Sequence, residues 1–313
     1  MARTRYAPDR GLTARMTLTM FLLGLVFVGF VAALVGILSA VHASGAAIVF
    51  FPVLLGVGLG FGSFYWSDKI ALRTAAAVEV TPQQAPELHG VIDRICALAD
   101  MPKPRVAISP TELPNAFATG RNSNKAVICV TQGLLRRLDR EELEGVLAHE
   151  MSHVAHKDVA VMTIASFLGI IAALLVRFSF YGELFGGGGR RDNNNQQALP
   201  ILLIIMLVSI VVYAISFLLI RLLSRYRELA ADRSGALLTG QPSKLASALQ
   251  KVSGTIAQIP TKDLRASGAE ALNAFYFVPA LTSGKSLSTL FSTHPSLERR
   301  LAELAKISKQ LGQ

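Results

Sequence analysis

Four long apolar runs constrain the fold of this chain more than any other feature of its sequence. They cover about residues 16–41, 46–66, 159–181 and 199–220. A helix of about 20 apolar residues spans the hydrocarbon core of a bilayer, whereas buried helices of soluble proteins are usually shorter. Only 17% of the chain is charged, against about a quarter in soluble proteins. The sequence therefore predicts a mostly α-helical membrane protein with four transmembrane helices, rather than four buried core helices.

The distribution of Lys and Arg predicts how these helices are oriented. The N-terminal tail contains four arginines, whereas the 42–45 connection contains no Lys or Arg. Short basic segments stay in the cytoplasm, so the N-terminus and residues 67–158 and 221–313 are expected there. We predict a multi-pass protein of the cell inner (cytoplasmic) membrane. Its net charge of +10 is explained by contact with an anionic lipid bilayer, and we predict no nucleic-acid partner.

The hydrophilic segments carry patterns of shorter elements. The predicted strands cover 104–109 and 125–135, with a turn near 120–124. The predicted helices are 84–100, one beginning near Asp139, 243–258, and a last helix that begins near Pro295 with the stripe Leu297, Leu301, Leu304 and Leu311. Cys96 and Cys129 are expected to be buried thiols. The Gly- and Asn-rich loop at 185–197 is expected to be disordered.

The stretch LAHEMSHVAHKD, residues 147–158, carries a metal-binding pattern. His149 and His153 are four residues apart, so a helix places them on one face, where both ring nitrogens reach one zinc ion at about 2.0–2.1 Å. Glu150 lies at the edge of that face. It is placed to act as general base on a water activated by the zinc ion.

His156 follows seven residues after His149, on the same face of the helix. A straight helix rises about 10.5 Å over seven residues, so both side chains cannot enter one coordination shell. We therefore predict that His156 is not a ligand and that a third ligand comes from elsewhere in the chain.

The third predicted ligand is Glu228, which lies just past the fourth apolar run. If that run crosses the membrane, Glu228 returns to the depth of the two histidines. Asp232 follows on the same helical face and is expected to receive the N–H of a ligand histidine. The alternative for Glu228 is a solvated charge beside Arg225 and Arg227.

These motifs resemble those of a known family. The matching pieces are NAFATG (115–120), EELEGVLAHEMSHVAHKD (141–158), RELAADRSGALLTG (227–240) and STHPSLERRLAEL (292–304). With the four apolar runs they are similar to the HtpX-type membrane zinc metalloproteases, which are related to the CAAX prenyl endopeptidases. The resemblance implies a cytoplasmic α+β, gluzincin-like protease domain with a small β-sheet.

The resemblance also implies a site and an activity. One Zn²⁺ per subunit is expected on His149, His153 and Glu228, with Glu150 as general base and Asp232 as the family's acid after the third ligand. The implied activity is endoproteolysis of misfolded or damaged membrane proteins at the cytoplasmic face, as part of a stress response. The sequence carries no signal for an oligomeric state.

The expected organisation has four parts. Residues 1–70 form a cytoplasmic N-tail and a first transmembrane hairpin. Residues 71–158 form the first part of the catalytic domain, with the HEMSH helix. Residues 159–220 form a second transmembrane hairpin. Residues 221–313 form the second part of the catalytic domain, with the third zinc ligand.

The segment NAFAT (115–119) and His294 each have two possible roles. Asn115 and Ala116 begin NAFAT (115–119), which is either an edge strand that pairs with an extended substrate or an ordinary strand end. His294 either stabilises the oxyanion or caps the last helix, and the resemblance favours a position near the site.

Two other functions stay open beside the leading one. A CAAX-type prenyl-protein endopeptidase would need more spans than four. A non-enzymatic membrane scaffold with structural zinc would need a fourth protein ligand, for which His156 is the available side chain.

Overall fold

A computed structural model describes residues 10–40, 46–186, 198–258 and 294–313. Most of the predicted disordered loop, 187–197, lies outside these ranges. The chain divides into two compact units. One comprises Met1–Arg15, Phe64–Ala160 and Ser224–Gln313, and the other comprises Met16–Ser63 and Val161–Leu223.

Helices dominate the described residues. In chain order they are α1 (Arg10–Ala40), α2 (Ala46–Tyr65), α3 (Ser67–Thr74), α4 (Pro86–Ala99), α5 (Gln132–Leu135), α6 (Arg140–Ala155), α7 (Asp158–Gly186), α8 (Ala198–Thr239), α9 (Pro242–Ala257) and α10 (Leu297–Gln310). The strands are β1 (Val78–Glu79), β2 (Arg105–Ser109), β3 (Ala116–Thr119) and β4 (Val127–Thr131). Mostly helical structure with a small sheet confirms the predicted fold class.

The apolar unit is built from long hydrophobic helices. Three stretches in the described ranges are long and apolar enough to cross a membrane, namely Arg10–Ile37, Asp158–Phe180 and Leu203–Thr239, and a shorter apolar stretch covers Val53–Tyr65. Side chains from α1, α7 and α8, among them Phe30, Leu175 and Ile205, form a buried cluster. Large apolar side chains such as Phe21 and Phe61 are more than half exposed, as in proteins whose surface contacts lipid.

Helix α8 extends beyond the fourth apolar run. The apolar run ends near residue 220, but the helix continues without a break to Thr239. The segment 221–239 is good helix-forming sequence, so the change from apolar to charged residues marks a change of surroundings and not the end of the helix. One helix therefore carries both an apolar run and the predicted third ligand.

The mixed sheet has the strand order β1-β2-β4-β3. Strands β2 and β4 pair in parallel, while β3 and β4 form an antiparallel hairpin in which Thr119 pairs with Val127. Strand β4 ends at Thr131, earlier than the predicted 135, because the Thr131 side chain accepts the N–H of Leu134 and starts α5. Among the described residues, β3 has a strand neighbour on one side only.

The core of the unit that contains the sheet lies between α4, α6, α9 and α10 on one face of the sheet. The predicted stripe on α4 is buried at Leu88, Val91, Ile92 and Ile95. Asp139 caps α6, since its side chain accepts the N–H of Glu142 and the Glu142 side chain accepts the N–H of Asp139. This reciprocal capping confirms the predicted start of the helix.

Helix α10 corrects the predicted stripe. Ser296 caps it and Leu297 is its first residue, so Pro295 precedes the cap. The buried face contains Arg300, Leu304 and Ile307, while Leu311 is 40% exposed. A buried arginine therefore stands where the leucine stripe was expected.

Both cysteines are buried free thiols, as predicted. Burial raises the pKa of Cys96 to about 11 and that of Cys129 to about 12. Thiols with such pKa values are unreactive at neutral pH.

Candidate metal centre

Helix α6 places His149 and His153 one turn apart, with their rings facing the same space. The two Nε2 atoms lie 3.2 Å apart. Nδ1 of His149 lies 2.9 Å from a carboxylate oxygen of Asp232. Nδ1 of His153 donates to a carboxylate oxygen of Asp158 at 2.5 Å. A carboxylate beside Nδ1 favours the proton on that nitrogen, so both Nε2 atoms keep lone pairs for a metal.

Helix α8 brings Glu228 into the same space. Its Oε2 atom lies 3.7 Å from Nε2 of His149, and its Oε1 atom lies 3.6 Å from Nε2 of His153. One donor atom from each of these three side chains lies within 4.8 Å of the others. Gly235 permits the close approach of α8 to α6, because a Cβ there would stand 2.8 Å from the backbone nitrogen of His149. The structure thus brings the three predicted ligands together.

The spacing of these donor atoms fits one zinc ion. Ligands at 2.0–2.2 Å from a tetrahedral zinc stand about 3.4 Å from one another, and the separations are 3.2, 3.6 and 3.7 Å. Two imidazole lone pairs at 3.2 Å repel each other unless a cation lies between them. Two imidazoles and a carboxylate are also a donor set that zinc favours. His149, His153 and Glu228 therefore fit the metal that the motif predicts.

Burial keeps both histidines neutral. It lowers the pKa of His149 from 6.5 to about 4, against the opposing effect of Asp232. It also lowers the pKa of His153 from 6.5 to about 4. Neutral imidazole is the form that binds metal, so protons do not compete with a cation at neutral pH.

Glu150 lies beside the cluster and is 5% exposed. Its Oε2 atom accepts the backbone N–H of Ala118 in β3 at 3.1 Å, which holds the carboxyl group between sheet and helix. Burial, and after it the charge of Glu228, raises the pKa of Glu150 well above its usual value. A carboxyl group with a raised pKa is suited to take up and return a proton near neutral pH.

Arg300 supports the carboxylate behind His149. Its Nε and Nη2 atoms donate to the two oxygens of Asp232 at 2.8 and 2.6 Å. Arg300 is 2% exposed and Asp232 is fully buried. Such a two-point bond fixes the orientation of a carboxylate, so α10 positions Asp232 against His149.

Arg227 supports the carboxylate behind His153. It forms an ion pair with the same Asp158 oxygen that accepts the His153 proton. Arg227 is 3% exposed and Asp158 is 7% exposed. Each of the two histidines therefore has its own aspartate, and each aspartate has its own arginine.

The remaining predicted site residues lie at different distances from the cluster. Nδ1 of His294 lies 3.0 Å from Oε2 of Glu228. Ala116 pairs with Val130 in the hairpin, and the N–H of Asn115 donates to Oγ1 of a threonine in β4 at 2.9 Å. Within the described ranges, His156 is not a member of the three-residue cluster.

Asp158, Arg227 and Arg300 were not predicted from the sequence. Arg300 carried a signal, because it occupies the apolar spacing of α10 between Leu297 and Leu304. A charged residue at a core position indicates a buried partner. Asp158 and Arg227 carried none, because their pairing joins segments separated by the whole of residues 159–226.

Proteins whose sequences resemble this chain are named as proteases. The sequence model of peptidase family M48 matches residues 82–308. Protease HtpX homolog 1 of Streptomyces coelicolor is 60% identical over 312 residues, covering 99% of this chain and 97% of that protein. The protease HtpX homolog of Moorella thermoacetica is 51% identical over 310 residues, covering 99% and 98%.

A solved structure shares the fold. The crystal structure of Ste24p from S. mikatae aligns with a TM-score of 0.50 and 17% sequence identity. The alignment covers 95% of this chain and 66% of the Ste24p chain. The resemblance found in the motifs is confirmed by the family match and the HtpX relatives. The chain belongs to peptidase family M48, among its HtpX proteases, and is a multi-pass membrane metalloprotease that hydrolyses peptide bonds.

Proposed function

We propose that this metalloprotease is a zinc-dependent endopeptidase that cleaves misfolded or damaged membrane proteins at the cytoplasmic face. The observation that carries the proposal is the convergence of His149, His153 and Glu228 beside the buried carboxyl group of Glu150. These residues adjoin apolar helices in the chain, since α7 begins five residues after His153 and α8 itself carries Glu228. Membrane proteins are therefore the substrates that the arrangement favours.

His149, His153 and Glu228 hold the ion in this proposal, with one ion per subunit. Zinc, when bound with an open coordination position, supplies Lewis-acid chemistry that polarises the scissile carbonyl and acidifies a water molecule. Glu150 takes the proton from the attacking water and returns it to the leaving amine nitrogen. The N–H of Ala118 holds the Glu150 carboxyl group in place between these two transfers.

Strand β3 is the proposed docking edge for the substrate. An extended peptide that adds to this edge would run beside Glu150, because Ala118 of the same strand contacts it. A recess at the end of β3 is lined by Thr119, Arg121, Val154 and Lys157, next to His153. It is placed to receive a substrate side chain close to the cleaved bond. His294 is the proposed oxyanion contact, because its Nδ1 atom lies 3.0 Å from Oε2 of Glu228. The capping alternative is not retained, because Ser296 caps α10.

The experiment compares Glu150→Gln with the wild type in detergent, with casein and a model membrane protein as substrates. We expect the variant to keep about one zinc per chain and to lose about 10²–10⁴-fold in cleavage rate, the usual contribution of a general base. Glu144→Gln is a matched control, because Glu144 is buried in the same helix but pairs with Arg94. A purified Glu150→Gln protein that cleaves at the wild-type rate would contradict the mechanism.

Substrate class and orientation need separate measurements. The proposal predicts cleavage of unprenylated membrane proteins, whereas a strict requirement for a prenylated cysteine would favour the CAAX-type alternative. Reporter fusions after residue 100 and after residue 240 are expected to report the cytoplasm. The scaffold alternative is not retained, because the chain belongs to a peptidase family.

A further inference from the structure

We propose that Asp158 and Arg227 are positioning residues that hold His153 in the orientation and tautomer needed to bind zinc. The inference rests on the proposed zinc centre and adds two residues to it. Neither residue belongs to the ligand cluster, although Asp158 also lines the recess at the end of β3. Their contribution is to the affinity and the geometry of the centre.

The contacts around Asp158 carry the inference. Its Oδ2 atom accepts the proton of Nδ1 of His153 at 2.5 Å and also forms the ion pair with Arg227. A histidine whose Nδ1–H is held by a carboxylate presents Nε2 as a stronger ligand. The Nε2 atom of His153 points at His149 and Glu228, so the fixed ring is the one that faces the metal position.

Asp158 and Arg227 are both buried, as expected of two charged side chains that neutralise each other in the folded protein. Asp158 and Arg227 are both less than a tenth exposed, and an isolated buried carboxylate would be costly. The guanidinium of Arg227 and the N-terminus of α7, where Asp158 is the first residue, both stabilise negative charge there. The carboxylate is therefore secured by the protein itself, before any metal arrives.

The turn between α6 and α7 explains how Asp158 reaches back to His153. Helix α6 ends at Ala155 and α7 begins at Asp158. Between them Lys157 adopts φ 57°, a left-handed conformation that few residues other than glycine take readily. This residue separates the two helices, and Asp158, five positions after His153, stands beside the histidine ring.

The position of Arg227 links the support of His153 to the third ligand. Arg227 immediately precedes Glu228 on α8. A shift of this helix would therefore move one metal ligand and loosen the support of another at the same time. By contrast, the corresponding support of His149 comes from Arg300 on α10.

The test measures zinc affinity by chelator competition in the full-length protein in detergent. We expect Asp158→Asn to weaken zinc binding about 10–100-fold, the usual effect of losing such a partner. Visible absorption of the Co²⁺-substituted protein is expected to change, because it reports the coordination geometry. Arg227→Lys keeps the positive charge and is expected to stay close to the wild type. Arg233→Gln is the control for removing an arginine from α8, since Arg233 donates to Gln310 at the end of α10.

A double variant separates positioning from folding. Arg227→Gln alone leaves Asp158 as an unpaired buried charge and is expected to lower the melting temperature of the metal-free protein. Asp158→Asn with Arg227→Gln removes both charges and is expected to recover that temperature. The positioning role predicts that zinc affinity stays as low as in Asp158→Asn alone, whereas a purely structural pair predicts that affinity recovers with stability.

Two results overturn different claims. Zinc affinity and a Co²⁺ spectrum equal to wild type in the double variant, whatever Asp158→Asn alone shows, would refute the positioning role alone. Wild-type protein that binds no zinc, or that binds it equally well after His149→Ala, would refute the zinc centre itself.

Discussion

Gly235 is where α8 comes closest to α6, and Gly235→Ala tests whether that approach builds the centre. An added Cβ would stand 2.8 Å from the backbone nitrogen of His149, and ordinary contact begins at 3.4 Å. The two helices must therefore separate by about 0.6 Å, the difference between these distances. The contact of Asp232 with Nδ1 of His149, now 2.9 Å, would lengthen to about 3.5 Å, where a hydrogen bond is largely lost.

The expected cost has two opposing parts. Overpacking of this kind destabilises by about 1–3 kcal/mol, while alanine in a helix is favoured over glycine by about 1 kcal/mol. We therefore expect Gly235→Ala to lower the free energy of unfolding by up to about 2 kcal/mol. Loosening Asp232 is also expected to weaken zinc binding about tenfold.

Thermal unfolding of the metal-free protein and a chelator competition titration measure the two effects. Gly90→Ala is the matched control, because a Cβ at this α4 position meets no atom within 4 Å. It is expected to gain about 1 kcal/mol from helix propensity and to keep zinc affinity. A Gly235→Ala protein that behaves like Gly90→Ala would refute the reasoning.

Arg300→Leu leaves a buried aspartate without its partner, and we expect unfolding free energy to fall by about 3–5 kcal/mol; denaturant titration checks this, with exposed Arg299→Leu expected to change it little. For the metal-free protein, the pKa values of His149 and His153 are lowered to about 4, whereas unfolded histidines titrate near 6.5. The unfolded state therefore binds more protons between pH 6.5 and 4, so stability is full above pH 6.5 and falls by a few kcal/mol towards pH 4, which melting curves across this range measure; a flat profile would contradict the burial argument. His156→Ala is expected to keep zinc affinity within about threefold of wild type, and loss of the metal would mean that this histidine is a ligand.

Local geometry explains which parts of the site the sequence could predict. His149, Glu150 and His153 follow from one turn of helix, and the Asp139 cap marks where that helix begins. Glu228 required a longer argument, because its place beside the histidines was predicted only from the expected return of the chain through the fourth apolar run. The hairpin and the buried cysteines likewise follow from short patterns of residues.

The residues that escaped prediction depend on contacts between distant segments. Asp158 and Arg227 look like surface charges at the ends of apolar runs, and only packing shows that they are buried together. The apolar run in α8 ends near residue 220, but the helix continues to Thr239. Helix propensity alone does not show whether a helix ends where its apolar residues end. Arg300 was hidden in a leucine-rich stripe, although its charge at a core spacing was visible.

The order of the site along the chain has a consequence for synthesis. The ribosome makes His149 and His153 first, then the apolar helices α7 and most of α8, and only afterwards Glu228 and Arg300. Until both apolar segments have been synthesised, the nascent protein contains His149, His153 and Glu150 but not the other residues of the candidate centre. If the proposed centre is the active site, the chain becomes able to cleave substrates only after both apolar segments have been made, and a chain whose synthesis stops between α7 and α8 is inactive.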